Sequence, residues 1–308
     1  MDFEAELKKR TDRAESIIKK YLPEITGPQA AVIEAMDYSV GAGGKRLRPV
    51  IMMAAYEMCG GKGELAEPFC AAIEMIHNYS LVHDDLPEMD NDMIRRGLPS
   101  THAKYGAGMA VLAGDGLLNS AFETALKSTD FASSAEDNAN ILKALAVLAD
   151  RAGIYGMIGG QAVDVEAEEK DLELSEADIL FVYENKTSAL LQASMVCGAL
   201  LAGADGQTAD TFSEAARCLG VAFQIQDDIL DVTGTTEEIG KPAGSDERNG
   251  KKTYLAYLGM EGAEKEQRRL SAQAHDLVAG ITVADSEDAA RAGAFLTALI
   301  DSLVDRRK

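Results

Sequence analysis

Two runs of aspartate carry the first chemical signal of this chain: Asp84, Asp85 and Asp90 in HDDLPEMD, and Asp227, Asp228 and Asp231 in QDDILD. Gln224, Asp227, Asp228 and Asp231 stand at i, i+3, i+4 and i+7, the spacing of one helix face. Val221, Ala222, Phe223, Ile225, Ile229, Leu230 and Val232 surround them. A helix apolar nearly all round belongs in an interior, where clustered carboxylates must be protonated or matched by cations. Hard divalent ions suit such a site, and Mg²⁺ in particular combines few carboxylates with waters and substrate phosphates. A solvated acidic face is the competing reading, and the apolar flanks weigh against it.

The first run repeats this logic. Glu74, His77, Leu81 and Asp84 follow helical spacing, and Pro87 then ends or bends the helix so that Asp90 can return towards Asp84 and Asp85. Asp90-Asn91-Asp92 has the look of a calcium loop. An EF-hand is excluded, because no glycine stands sixth and no glutamate twelfth. Two carboxylate clusters on two helices could face each other across a cavity and hold several Mg²⁺ ions between them.

The chain is acidic, with 51 Asp and Glu against 30 Lys and Arg and a formal charge of −21. That balance argues against nucleic acid and anionic membrane as partners. Much of the acid, as over Asp164 to Glu184, reads as solvated face. The basic exceptions therefore stand out: Lys45, Arg46 and Arg48; Arg95 and Arg96; Lys251 and Lys252. In GGKRLRP, Lys45 and Arg48 share one side of an incipient helix whose N-terminus favours an anion. Adjacent Arg95 and Arg96 point different ways and could grip two different anions; ordinary salt bridges to Asp90 and Asp92 compete with that reading. His77 is either a structural hydrogen bonder or a hydrogen-bond donor to a phosphate. Lys186, Thr187, Lys241 and Lys251 gain weight from lying near elements that could line the same cavity.

The elements that must position these groups read as helices throughout. Apolar spacing of three and four recurs, period-2 alternation is missing, and there are 7 Pro and no Trp in 308 residues. Helices are predicted near 2–20, 29–40, 47–59, 64–86, 106–127, 137–167, 175–184, 187–203, 208–233, 260–279 and 285–306. No Pro/Ser/Gly-rich linker interrupts them, so the expectation is one all-α domain. Gly234 to Gly250 reads as a mobile loop. Thr187 to Ala204 is too polar at Ser188, Gln192 and Ser194 to span a membrane and reads as a buried core helix. Cys59, Cys70, Cys197 and Cys218 form no C-x-x-C pair and fit reduced thiols of a cytoplasmic protein, and MDFEAELKKR is too charged for a secretory signal.

GGKRLRP, E-x-x-H-x-x-S-L-x-H-D-D-L-P-x-M-D with a following RRG, GGQ-x-x-D, KT, FQIQDDILD and GK-x-TY occur here in order, from about Gly43 to Tyr254. In these motifs the chain resembles the trans-isoprenyl diphosphate synthases, most nearly the bacterial farnesyl diphosphate synthases. The resemblance implies an all-helical bundle around a deep central cavity, usually a homodimer. It implies Asp84 and Asp90, with Asp85 nearby, as ligands for two Mg²⁺ ions, and Asp227 with Asp231 as holder of a third. Lys45, Arg48, His77 and Arg96 fall where the family holds the diphosphate of isopentenyl diphosphate. Arg95, Lys186, Lys241 and Lys251 fall where it holds the allylic diphosphate, and Thr187 and Gln224 beside the reacting carbon. Leu255 stands where relatives often have proline.

The residue types suit that chemistry. Leaving of an allylic diphosphate creates a carbocation and a concentrated anion, and fixed cations stabilise the charge that develops. No Ser-His-Asp or Cys-His set is needed or seen, and the departing diphosphate is expected to take the final proton. A terpene cyclase would not need the second diphosphate site, and a noncatalytic synthase subunit would not need both aspartate motifs. A generic acidic metal-binding protein leaves the ordered cations unexplained. Product length is expected to be set by Tyr79, five residues before Asp84 and roughly 7–8 Å away along the helix at about 1.5 Å per residue. Ser80, next to it, is too small to act as the stop. Farnesyl diphosphate is the expected product, with geranylgeranyl or geranyl diphosphate the alternatives.

Overall fold

Several helix starts are encoded by side-chain caps. In the computed structural model, which describes residues 1–170, 172–233, 253–282 and 284–304, Asp2 accepts from the Ala5 N–H at 3.2 Å and opens α1 (Phe3–Tyr21). Ser134 opens α7 (Ala135–Ala152) in the same way. Ser175 and Asp178 cap each other's backbone at the start of α9 (Glu176–Val182). Between them run α2 (Ala30–Gly41), α3 (Leu47–Met58), α4 (Glu67–Asp84), α5 (Thr101–Tyr105), α6 (Ala107–Leu126) and α8 (Met157–Glu169). A π-helical turn at Tyr183–Ser188 leads into α10 (Ala189–Leu201), followed by α11 (Gly206–Thr233), α12 (Leu255–Ala279, broken at Gly259) and α13 (Glu287–Val304). Lys241, Lys251, Lys252 and the loop expected over Gly234 to Gly250 lie outside the described residues.

The all-α expectation holds, with corrections: a short helix, α5, lies where none is predicted, and the π turn joins the elements expected at 175–184 and 187–203. The single helix expected over 137–167 is two, α7 and α8, because the chain turns at Gly153 to Gly156. A side chain at Gly156 would place its Cβ 2.1 Å from the Arg151 carbonyl oxygen. A small hairpin also follows the first aspartate run: β1 (Ile94–Arg95) pairs with β2 (Leu98–Pro99). Its two turn residues, Arg96 at φ 53° and Gly97 at φ 78°, have the left-handed backbone that tight two-residue hairpins require.

The core is organised about α10, where every residue but Leu200 is buried. One side of it, through Leu191, Met195 and Ala199, joins the apolar cluster of α3, α11, α12 and α13. The other, through Leu190, Ala193 and Cys197, joins that of α1, α4, α6 and α7. Gly198 permits the approach of α3, since a Cβ there would stand 2.3 Å from the Met52 carbonyl oxygen. The four cysteines are free, and burial pushes the Cys59 thiol up to about 11. Among the described residues, no helix is long and apolar enough to cross a membrane.

Candidate active site

The first aspartate motif ends a helix. Asp84 is the last residue of α4, and the Asp90 N–H returns to its carbonyl at 2.9 Å, so the turn at Pro87 does bring Asp90 back. Asn91 closes this turn at φ 52°. Asp84 is half-buried and accepts from Gln161 Nε2 on α8 at 2.9 Å. Burial above all raises its pKa to about 6; repulsion from Asp90 and Asp85 adds to this, and Lys186 and Arg95 oppose it. Asp85 is buried against Arg95, whose Nε donates to it at 2.9 Å and whose other arm lies 3.4 Å from Asp92. Arg95 thus does engage acidic neighbours, Asp85 and Asp92. Even so, burial holds the Asp85 carboxyl above its usual range.

The second motif is reached through α8 and the π turn. Lys186 Nζ is 2.6 Å from Asp164 Oδ2 on α8, and its charge also acts on Asp84. Asp164 is therefore a buried partner within the site, not the solvated acid expected of that stretch. Gly160 lets α8 reach this turn, because a Cβ there would lie 2.2 Å from the Lys186 backbone nitrogen. Thr187 Oγ1 donates to Gln224 Oε1 at 3.1 Å. Tyr183 donates its hydroxyl to Asp228 and accepts the Tyr254 N–H at 3.3 Å. On α11, Asp228 and Asp231 are buried whereas Gln224 and Asp227 are half-buried. A chain of side-chain contacts thus joins α4, α8, the π turn and α11.

The two basic motifs meet beside α4. Arg46, at φ 49° before α3, is fully buried and donates to Glu15 and Glu74, each at 2.7 Å, and to the Val40 carbonyl. It is the structural member of GGKRLRP: it fixes the loop that presents exposed Lys45 and half-buried Arg48. Arg48 Nε is buried without a hydrogen-bond partner. Arg96 donates to the Gly43 carbonyl and covers Gly44, where a Cβ would stand 2.8 Å from its guanidinium carbon. Burial first, and then Arg48, Arg96, Arg46 and Arg95, hold His77 well below its ordinary pKa, so its ring is neutral. An unpartnered guanidinium Nε and crowded cations around the imidazole suit a multiply charged anion.

Tyr79 is buried in the α4–α6 core. Its hydroxyl has no hydrogen-bond partner, and burial, helped by Asp84, raises it to about 12. Ser80 donates back to the His77 carbonyl at 3.0 Å. Sequence reasoning gave no role to Gln161, Asp164 or Tyr183. The signal for the first two was the GGQ-x-x-D spacing, which places Gln161 and Asp164 at i and i+3 of one face.

Among the described residues, no three His, Cys, Asp or Glu side chains gather closely enough to enclose an ion alone. Mg²⁺ does not require that, since it fills its shell with waters and phosphate oxygens around one or two carboxylates. Burial first, and then neighbouring carboxylates, raise the Asp84 and Asp85 carboxyls, and a bound cation would offset both, so the all-oxygen donor set fits Mg²⁺.

The polyprenyl synthetase family model matches residues 29–283. A farnesyl diphosphate synthase of Geobacillus stearothermophilus is 43% identical over 86% of this chain and 87% of its own. A geranylgeranyl diphosphate synthase of Cyanophora paradoxa is 40% identical over 88% of each. The solved structure of a geranyltransferase from Helicobacter pylori, complexed with magnesium and isoprenyl diphosphate, matches with a TM-score of 0.82 at 29% identity, covering 99% of both chains.

Proposed function

Because the chain belongs to the polyprenyl synthetase family, we propose that this prenyltransferase adds isopentenyl diphosphate head-to-tail to dimethylallyl and then geranyl diphosphate, releasing farnesyl diphosphate and diphosphate. The observation that carries the reading is the pairing of two unlike sites. Half-buried and buried carboxylates close α4, linked through α8 and the π turn to α11, and arginines gather around His77. One suits a diphosphate held through metal, the other a diphosphate held directly.

In this mechanism Lys45, Arg48, His77 and Arg96 bind the isopentenyl diphosphate. Asp84, Asp85 and Asp90, with Asp227 and Asp231, would hold Mg²⁺, about three ions as the resemblance implies. Bound there, Mg²⁺ would neutralise the charge that develops on the leaving diphosphate. Lys186 adds its own charge near Asp84, and Arg95, paired with Asp85, would exchange it for the allylic diphosphate. The oxygens of Thr187 and Gln224, hydrogen-bonded to each other, would stabilise the carbocation without trapping it. No side-chain base is needed if the departing diphosphate takes the proton. Lys241 and Lys251 keep their place as proposed allylic-site cations, and Tyr79 as the proposed end of the tail channel.

The chain acts as a homodimer in this reading, supported by Val111, Leu112, Ile154 and Tyr155, four large apolar side chains left 40%, 55%, 66% and 76% exposed. The test is incubation with isopentenyl and dimethylallyl diphosphates, with Mg²⁺ or with chelator, and mass spectrometry of the products. Farnesyl diphosphate formed only with Mg²⁺ supports the proposal. A geranylgeranyl end product would overturn the chain length alone, and no condensation at all would sink the activity.

A further inference from the structure

His83 lies beside this site and has no part in the chemistry above. It stands one turn after Tyr79 on α4, and a helical side chain leans back over the preceding turn. The two rings meet edge to face, with centroids 5.8 Å apart and planes at 81°. The imidazole is also held by α6. Its Nε2 is 3.2 Å from the Val111 carbonyl oxygen, an acceptor, so Nε2 carries a proton and donates it. Asp115 Oδ1 lies 3.9 Å away. Gly114 makes the space for the ring: a Cβ there would stand 2.1 Å from Nε2 and 2.4 Å from Cδ2. By contrast, the buried Tyr79 hydroxyl has no hydrogen-bond partner, so no polar contact of that hydroxyl fixes the phenol. Its orientation depends on packing, and His83 is the aromatic neighbour that supplies a directional contact.

We propose that His83 is a positioning residue for product length: it holds the Tyr79 ring across the path of the growing chain, and Gly114 is the gap in α6 that allows it. The inference rests on reading Tyr79 as the stop. A phenol held only by shape can tilt when its neighbour is removed, and a tilted ring opens the channel that an upright one closes. The Val111 carbonyl and the bare backbone at Gly114 fix the imidazole from behind, so α6 sets the tilt through His83.

The full-length enzyme is assayed with isopentenyl and dimethylallyl diphosphates, and the ratio of longer products to farnesyl diphosphate is read by mass spectrometry. His83→Ala should raise that ratio about tenfold, the scale of one lost aromatic pair. His83→Gln keeps a donor for Val111 without a ring; it should do the same, and it guards against misfolding of the alanine variant. His83→Phe restores a ring and should return the ratio to within about twofold of the parent. Gly114→Ala should shift the ratio when His83 is present and leave it unmoved in the His83→Ala background, as a contact made through His83 requires. If Tyr79→Ala lengthens the products while the ringless His83 variants do not, the positioning role is overturned and the stop stands. If Tyr79→Ala leaves the products unchanged, the stop reading falls and takes the positioning role with it.

Discussion

The side-chain amide of Gln161 donates to a carboxylate oxygen of Asp84 at 2.9 Å, across 77 positions of sequence. It orients an aspartate that has few reasons to stay ionised, and it leaves its own Oε1 buried without a partner. Groups that aim a metal-binding carboxylate commonly matter 10- to 100-fold. Gln161→Ala should therefore lower turnover by about that factor and raise the Mg²⁺ concentration needed for half-maximal rate, with little change in the melt. Steady-state rates across a Mg²⁺ titration check this. An unchanged Mg²⁺ dependence would remove Gln161 from the site.

Asp84 also makes stability depend on pH. Its folded pKa of about 6 lies above the ordinary 3.8. The folded chain thus binds this proton more tightly than the unfolded one. That stabilisation is fully present below about pH 4 and is lost as pH rises through about 6. Asp84→Asn should make the metal-free protein more stable than the parent at pH 7.5 by roughly 1–3 kcal/mol, discounted for partial exposure, and bring no gain at pH 4. Adding Mg²⁺ should narrow the difference by stabilising the parent. Thermal melts at several pH values decide it, and equal melting temperatures at pH 7.5 would contradict the raised pKa.

Arg46 and Lys45 are neighbours with opposite expected phenotypes. Arg46 is buried between Glu15 and Glu74, and Glu74 is itself only 2% exposed. Removing one partner of such a group leaves a bare buried charge, so Arg46→Ala should cost about 3–5 kcal/mol in chemical denaturation. Lys45 is exposed, so Lys45→Ala should leave stability within about 0.5 kcal/mol while weakening use of isopentenyl diphosphate. Denaturant midpoints and substrate kinetics on both variants would show whether the two roles are separate.

Much of this was legible in the sequence, for physical reasons. The helices could be read because their apolar periodicity is long and regular, and the aspartates because carboxylates in an apolar helix need a cause. What escaped depended on three-dimensional partners. Asp164 looks like one acid in an acidic run until Lys186 is seen 2.6 Å away. Arg46 looks like Lys45 and Arg48 until Glu15 and Glu74 close around it. The hairpin at Ile94–Pro99 is too short for alternation to show, and its turn needs Arg96 in a backbone that arginine seldom adopts. The π turn is invisible because nothing in Tyr183–Ser188 distinguishes an i→i+5 turn from an α turn, and Gly160, which makes room for it, lies on another helix.

If the exposed apolar side chains at the start of α6 are covered by a second copy, charge placed there should separate the pair. Leu112, 55% exposed, is the simplest probe. Leu112→Glu should shift the mass seen by light scattering from dimer to monomer, with the helical circular dichroism retained, because a carboxylate buried without a partner is strongly disfavoured. A variant still dimeric at micromolar concentration would place the interface elsewhere.

The adjacent arginines should divide between the two substrates. Arg95, on a strand, reaches back to Asp85 and Asp92, the aspartate-rich side. Arg96, in the turn, reaches the Gly43 carbonyl and lies over Gly44, the cation-rich side with His77 and Arg48. Arg96→Ala should raise KM for isopentenyl diphosphate about 10- to 100-fold, the range of one charge-assisted hydrogen bond of about 1.5–3 kcal/mol. Arg95→Ala should act chiefly on the allylic substrate, and it also leaves Asp85 buried without its cation. Gly44→Ala should imitate Arg96→Ala without touching the arginine. Its Cβ would stand 2.8 Å from the guanidinium carbon, and the backbone there, at φ 139°, suits glycine. Kinetics with each substrate varied in turn test all three variants. Equal losses for both substrates in Arg95→Ala and Arg96→Ala would end the division, and a Gly44→Ala enzyme with normal KM for isopentenyl diphosphate would show that the place Arg96 occupies over Gly44 is not the one it uses.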